Sequence, residues 1–299
     1  MAQPDGPWTV RKTLEWTAGY FTRKKVDSAR LSAELLLAHV LGVSRIKLYT
    51  DHERELSEAD RARLRELVIR AGEQEPIAYL TGRAHFFNLE FDVTRDVLIP
   101  RPDTETLVEN AIQTLKRQMV LDVPRVLDLC TGSGCVAAAI AQNVKSAVVI
   151  ATDISPAAVE IARKNIERLG LSQRIEVRQG DLFEALRDIV DPMPFNVIVS
   201  NPPYIPTAQI AGLDRSVREY EPVTALDGGP DGLDLHRKIL AQGLERLTPG
   251  GRIFLEIAFD QRPLAQEIAG AIARYADVRI LKDHAGHDRV VTATKRGAE

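Results

Sequence analysis

The chain has 299 residues, 44% of them apolar and 27% charged, with a formal net charge of −3. That length suits about two domains, and the balance excludes intrinsic disorder, which needs low hydrophobicity with high net charge. No apolar run nears the ~18 residues of a membrane span, and 39 Lys/Arg against 42 Asp/Glu lack the excess of a broadly basic nucleic-acid binder.

The opening residues to Trp8 have neither the basic n-region nor the apolar h-region of a secretory signal. Residues 8–75 read as helical. Leu31, Leu35, Leu36, Val40 and Leu41 recur at helical spacing, as do Leu64, Leu67 and Val68. Asp27-Ser28 and Ser57 are candidate N-caps and Gly42 a candidate C-cap. Glu53, Glu55, Glu58 and Asp60 alternate with arginines as on a solvated helix face. Residues 84–98 predict a β-hairpin, rich in Phe and Val, with Asn88 near its turn.

From residue 103 helix and strand alternate. Helices are expected at 103–119, 135–142, 156–169, 234–247 and 260–274. Strands are expected at 125–129, 147–152, 175–178, 195–200, 251–257, 277–282 and 289–295. Apolar strands between helices imply an α/β fold, a doubly wound, Rossmann-like and mostly parallel sheet. The expected organisation is a helical domain over 1–80, a hairpin linker over 81–100 and an α/β domain over 101–299.

Two segments carry chemistry. Asp128-Leu-Cys-Thr-Gly-Ser-Gly134 lies where a strand gives way to a helix. Its glycines permit a tight turn and close backbone approach to a ligand, and ligands of open α/β sheets sit outside the carboxyl ends of the strands. The dinucleotide pattern G-x-G-x-x-G fails, because its third glycine position is Ala137. Asp153 ends the next strand and can accept from ribose hydroxyls. Asp181 ends the third and could accept from an adenine amino group, and Phe183 or Leu182 could flank the ring. Either acid alone reads equally well as a cap or turn residue. Cys130 and Cys135, five residues apart, are read as buried small residues rather than a disulfide framework or a nucleophile, and a reducing cytoplasm is the expected compartment.

The second segment is Asn201-Pro202-Pro203-Tyr204, directly after an apolar strand. Two prolines stiffen the backbone. They fix the Asn201 side chain and the Pro202 carbonyl as two acceptors for one –NH₂ group, and Tyr204 offers a ring face for a planar group. A planar amine or amide nitrogen is a poor nucleophile because its lone pair is delocalised. Acceptors on both its hydrogens favour the charge that builds on it during attack. The pattern points to methylation of an amino or amide nitrogen. His284 and His287 beside Asp283 and Asp288 lack further ligands at metal spacing, so no metal is expected. Arg101, between two prolines, reads either as a brace for a substrate or cofactor loop or as a structural turn.

Asp128, Cys130, Thr131, Gly132, Ser133, Gly134, Asp153, Asp181, Leu182, Phe183 and Asn201 together resemble the cofactor site of the class I S-adenosylmethionine-dependent methyltransferases. Cys130 stands where that family often has glycine, a difference that matters only if φ there is positive. Further segments resemble the release-factor glutamine methyltransferases (the HemK/PrmC family). These are Pro76–Gly82, Phe86–Phe91, Pro100-Arg-Pro-Asp-Thr-Glu105, Glu221-Pro222, Ala225-Leu226, and Asp283 with Gly286–Val291. Ala258 departs from the glycine usual after Glu256-Ile257. The resemblance spans about residues 10–295. It implies methyl transfer from S-adenosyl-L-methionine to the side-chain N5 of the glutamine in the Gly-Gly-Gln tripeptide of peptide chain release factors. It also implies that the N-terminal domain contacts the factor. A nucleic-acid amino methyltransferase, acting on adenine N6 or guanine N2, and a ribosomal-protein glutamine methyltransferase are the alternatives. Phosphate contacts would call for basic surface, so no direct nucleic-acid partner is expected.

Overall fold

A computed structural model describes residues 7–117, 123–189 and 193–297. The first residues of the chain, and the last two of the helix expected at 103–119, therefore lie outside the described residues. Two units emerge from the packing. One runs through Arg83 and includes Asp214–Tyr220; the other comprises Ala84–Leu213 and Glu221–Glu299.

The first unit is built from α1 (Val10–Lys24), α2 (Ala29–Leu41), α3 (Arg45–Thr50), α4 (Glu58–Gly72) and α5 (Ile77–Thr81). Thr9 and Ser57 cap α1 and α4 by accepting from Lys12 N and Asp60 N. Ser28 precedes α2 at φ 47° and makes no side-chain cap. Gly42 closes α2 at φ 63°, its N–H returned to Ala38 and His39. The buried face of α2 is Ala33, Leu36, Leu37 and Val40, whereas Leu31 is exposed and Leu35 half-buried. The face is turned from the expected one because it also buries Glu34. Arg30 Nε (2.9 Å) and Arg45 Nη2 (2.7 Å) compensate that carboxylate, with Tyr49 as a third donor.

The second unit opens with the hairpin β1 (Arg83–Phe86) and β2 (Leu89–Asp92). Phe87 and Asn88 both have positive φ (50° and 61°), the signature of a two-residue type I′ turn. The expected hairpin ran to 98, but pairing stops at Asp92. A short 3₁₀ turn (Pro102–Thr104) leads into α6 (Glu105–Arg117). There follow β3 (Arg125–Leu129), α7 (Cys135–Asn143), β4 (Val148–Asp153), α8 (Pro156–Arg168), β5 (Ile175–Gln179) and β6 (Phe195–Ser200). The helix Asp234–Arg246 precedes β7 (Leu247–Glu256), and the helix Arg262–Gly270 precedes β8 (Tyr275–Lys282) and β9 (Asp288–Lys295). The strands form one seven-stranded sheet of order β5-β4-β3-β6-β7-β9-β8, in which β9 runs antiparallel to both neighbours.

The central strands are buried on both faces, β6 at all six positions. This is why their sequences are continuous apolar runs rather than alternating ones. β7 begins four residues before its expected start. Pro249-Gly250 loops outward there, with Gly250 at φ 75°, and the pairing resumes at Arg252 opposite Val197. β8 also starts early, at Tyr275, and is interrupted where Asp277 adopts φ 53°.

Candidate functional site

The carboxyl ends of β3, β4 and β6 line one cavity of about 410 Å³ within the catalytic unit. Cys130, Thr131, Gly132, Ser133, Asp153, Asp181, Leu182, Asn201 and Pro203 stand on its wall, with Arg101, Thr104 and Ile154. The structure thus brings together most of the residues singled out from sequence. Asp128, Gly134, Phe183, Pro202 and Tyr204 lie outside the lining.

The glycine-rich turn explains several placements. Asp128 is buried and accepts from Thr131 Oγ1 (2.6 Å) and Ala137 N (3.1 Å), so it ties the turn to the first helical residues of α7. Burial raises its carboxyl to about 7, against the pull of those two donors. Gly132 has φ 55° with open space at its Cβ position, so the backbone is bare on that side. Gly134 has φ 80°, and a Cβ there would sit 3.3 Å from Ala162 Cβ, so glycine lets α7 approach α8. Cys130 has φ 57°, a left-handed conformation that costs a non-glycine residue about 1 kcal/mol. This is the condition under which its departure from glycine matters. Burial pushes the Cys130 thiol above its ordinary range, and Cys135 up to about 12, so neither supplies a thiolate at neutral pH.

Asp153 accepts from Gly132 N (2.9 Å) through Oδ2 and from Ser155 N (3.0 Å) through Oδ1. Each oxygen retains a lone pair for a ligand hydroxyl. Burial raises its pKa, opposed by these backbone donors. Asp181 is exposed and makes no side-chain cap for the short turn Leu182–Leu186. Leu182, at φ 49°, lines the cavity and Phe183 does not, although both pack in the same apolar cluster. Of the two alternatives for flanking a ring, Leu182 is the one on the cavity wall, together with the exposed Ile154.

At the end of β6, Ser200 donates to Leu129 O (2.7 Å) and locks β6 to β3 at the turn. Asn201 then presents its amide to the cavity, its Nδ2 donating to Thr104 Oγ1 at 3.1 Å. Pro202 is buried. Tyr204 turns its hydroxyl to Glu256 Oε1 (3.3 Å), and its carbonyl accepts from Gln261 Nε2 (2.8 Å). Gln261 Oε1 also accepts from Ala258 N (2.9 Å), so the Asn-Pro-Pro-Tyr loop is fastened to the end of β7.

Three buried polar residues support this arrangement, and of them only Asn165 lies outside the segments singled out from sequence. Asn165 on α8 is fully buried. It accepts from Asp92 N (2.7 Å) and donates to Asp92 O and Ser133 O (both 2.9 Å), joining β2, α8 and the glycine turn. Glu256 ends β7 fully buried, and desolvation raises it to about 7. Arg289 bridges Asp283 and Asp103, each at 3.1 Å. The expected metal-free reading of His284 and His287 concerns side chains that are exposed. Among the described residues no group of three or more His, Cys, Asp or Glu could hold a metal.

Known proteins bear on this arrangement. The PrmC N-terminal domain family matches residues 12–82, and the methyltransferase small domain family matches 104–212. A release factor glutamine methyltransferase of Rhodopirellula baltica is 41% identical over 97% of this chain and 98% of its own length. One of Geobacter sulfurreducens is 43% identical over 95% of this chain and 96% of its own. The hMettl16 catalytic domain in complex with MAT2A 3′UTR hairpin 1 overlays with a TM-score of 0.55 at 15% identity. That match covers 81% of this chain and 82% of that one, and it bears on the fold alone.

The methyl donor of such enzymes is S-adenosylmethionine, and the cavity fits it. The bare backbone at Gly132, the carboxylate of Asp153 at a strand end and the apolar Leu182 and Ile154 suit an amino-acid moiety, a ribose and a flat ring, in that order. Matched at about 40% identity over nearly its whole length, the chain belongs to the release factor glutamine methyltransferase family and is an S-adenosylmethionine-dependent protein-glutamine methyltransferase.

Proposed function

We propose that the enzyme methylates N5 of the glutamine in the Gly-Gly-Gln motif of peptide chain release factors, in the cytoplasm. The observation that carries this reading is Asn201, whose amide stands on the same cavity wall as Gly132 and Asp153. When bound, S-adenosylmethionine supplies an electrophilic methyl carbon on a sulfonium sulfur. Gly132, Ser133 and Asp153 hold it, with Asp181 and Leu182 at the ring end. Asn201 Oδ1 and the Pro202 carbonyl accept the two N–H bonds of the glutamine amide, and Tyr204 gives the amide a ring to pack on. Two acceptors stabilise the positive charge that builds on nitrogen as it attacks, and the fixed loop supplies orientation. S-adenosylmethionine would supply the methyl group to the amide nitrogen, its sulfur keeping the electron pair of the broken C–S bond, and the surplus amide proton would leave to water. Residues 1–80 serve as the factor-recognition domain, 81–100 as a linker and 101–299 as the transferase.

Labelled-methyl transfer to purified release factor, tRNA, rRNA, ribosomal protein and DNA tests the proposal. Label confined to the release factor, with one added methyl on the Gly-Gly-Gln glutamine by mass spectrometry, is the expected result. Asn201→Ala should abolish turnover while cofactor affinity persists, whereas Asp153→Ala should weaken cofactor binding. Label appearing on nucleic acid, or full turnover by Asn201→Ala, would overturn it.

A further inference from the structure

The glycines of a Gly-Gly-Gln tripeptide have no side chains to recognise. They offer a site only backbone N–H and C=O groups, and a carbonyl taken from water into a cavity needs a donor there. Among the described residues the cavity wall carries one cation, Arg101.

Arg101 is fixed at both ends. Pro102 follows it and restricts it to extended backbone, where its φ of −102° and ψ of 140° lie. Its carbonyl accepts from Thr104 N at 3.1 Å, and Thr104 Oγ1 accepts from Asn201 Nδ2 at 3.1 Å. Arg101 therefore stands one turn from the residue that touches Asn201. At the far end, Arg101 Nη2 donates to Glu221 Oε1. The Glu221 side chain is 2% exposed and that of Arg101 34%. A guanidinium carries five N–H donors in a planar fork. Among the described residues this one makes no other hydrogen bond or ion pair, so donors remain for a ligand.

Two acceptors compete for those donors: the carboxylate of the cofactor's methionine moiety and a backbone carbonyl of the substrate. Charge decides between them. Arg101 and Glu221 already form a neutral pair. A second carboxylate would leave one uncompensated negative charge in a partly buried place, at a desolvation cost. A carbonyl leaves the pair neutral and gains a charge-assisted hydrogen bond.

We infer that Arg101 is a substrate-binding residue, whose guanidinium, oriented by the buried Glu221, donates to a backbone carbonyl of the Gly-Gly-Gln tripeptide. This deepens the glutamine-methylation reading given above and rests on it. Asn201 and Pro202 hold the amide that reacts, and Arg101 holds the backbone that carries it. The rival role for the pair is a clasp that only ties the segment before α6 to Pro222–Ala225, which also line the cavity. A clasp fails equally when either partner is lost, whereas a donor to substrate needs Arg101 more than Glu221.

The test compares wild type, Glu221→Gln and the double variant Arg101→Met/Glu221→Gln. The readouts are steady-state methyl transfer to release factor, cofactor affinity by calorimetry, and melting temperature. Glu221→Gln keeps an acceptor oxygen for Arg101 and should lower kcat/KM by about threefold at most. The double variant removes both charges together and strands no buried carboxylate. Its kcat/KM should fall a further 10- to 100-fold or so, roughly the worth of a hydrogen bond from a charged donor. The loss should lie chiefly in KM, with cofactor Kd unchanged. If the double variant melts early, Arg101→Lys decides: it keeps the charge beside Glu221, loses the fork, and should raise KM in the same direction. Four outcomes would overturn the inference: an equal loss in Glu221→Gln and the double variant, a weakened cofactor with unchanged release-factor KM, wild-type kinetics in the double variant, or wild-type KM in Arg101→Lys. A wild type that labels no release factor would refute the functional reading beneath the inference. Labelled factor with any of those four outcomes refutes the inference alone.

Discussion

Asn165 is a buried polar residue outside every motif singled out in the sequence, and its removal tests whether the glycine turn is held from behind. Asn165→Ala breaks three hydrogen bonds, of 2.7, 2.9 and 2.9 Å. Each contributes about 1 kcal/mol net, giving ~3 kcal/mol for the set. The side chain is fully buried, so truncation also strands Asp92 N–H and two carbonyls and leaves a small polar void. Partial filling by water offsets some of that, and the expected loss is about 3–4 kcal/mol. Urea unfolding of the catalytic unit should show a lower midpoint at unchanged slope. One of the three bonds ends on Ser133 O, within the cofactor turn, so cofactor affinity should weaken as well, by about one bond's worth or roughly fivefold. An Asn165→Ala protein that loses under 1 kcal/mol would show that its partners find other donors. Full cofactor affinity at reduced stability would show that the turn keeps its shape without the α8 anchor.

Two further predictions concern groups in unusual states. His236 is buried and desolvation lowers it to about 4, so between pH 4 and 6.5 the unfolded chain binds a proton that the folded chain does not. Stability from this group is therefore present above 6.5 and lost as pH falls to 4; the stability difference between wild type and His236→Asn should shrink by about 3 kcal/mol over that window in urea titrations, and a pH-independent difference would contradict a neutral buried imidazole. At Cys130, glycine relieves about 1 kcal/mol of left-handed strain and gives back a similar amount in unfolded-state entropy. Cys130→Gly should therefore melt within a degree or two of wild type, whereas β-branched Cys130→Val should lose about 2 kcal/mol; a tolerated valine would be incompatible with φ 57°.

The sheet was legible because its strands are buried on both faces and therefore read as apolar runs, and because each candidate site residue ends one of them. Asp153 and Asn201 needed only that rule to be placed. The rest is written in pairings that no window of sequence contains. Asn201 meets Thr104 across 97 residues and Asn165 meets Asp92 across 73. Which residues of α2 are buried is likewise settled by another helix, although Leu36 and Val40 follow the helical spacing. Leucines at 31 and 35 satisfy the helical period, but the compensation of Glu34 by Arg45 and Tyr49 comes from α3 and turns the buried face toward Ala33 and Leu37. Of Leu182 and Phe183, the two alternatives for flanking a ring, Leu182 lines the cavity and Phe183 does not, although both belong to one buried apolar cluster.

The Asp283–Val291 motif finds its use in the same way. Asp283 accepts from Ala285 N (3.0 Å) and His287 N (2.9 Å) through Oδ1, which closes the β8–β9 connection, and offers Oδ2 to Arg289. Arg289, only 8% exposed, then reaches Asp103. A guanidinium so placed needs two carboxylates to offset its desolvation, and the two it has belong to the far edge of the sheet and to the segment before α6. The edge hairpin thus holds Asp103 in place next to Thr104, whose hydroxyl meets Asn201. Arg289→Lys keeps the charge but loses the planar fork that spans both acids. It should lower turnover while the melting temperature moves little, and a variant that lost stability with kcat intact would assign the hairpin to folding alone.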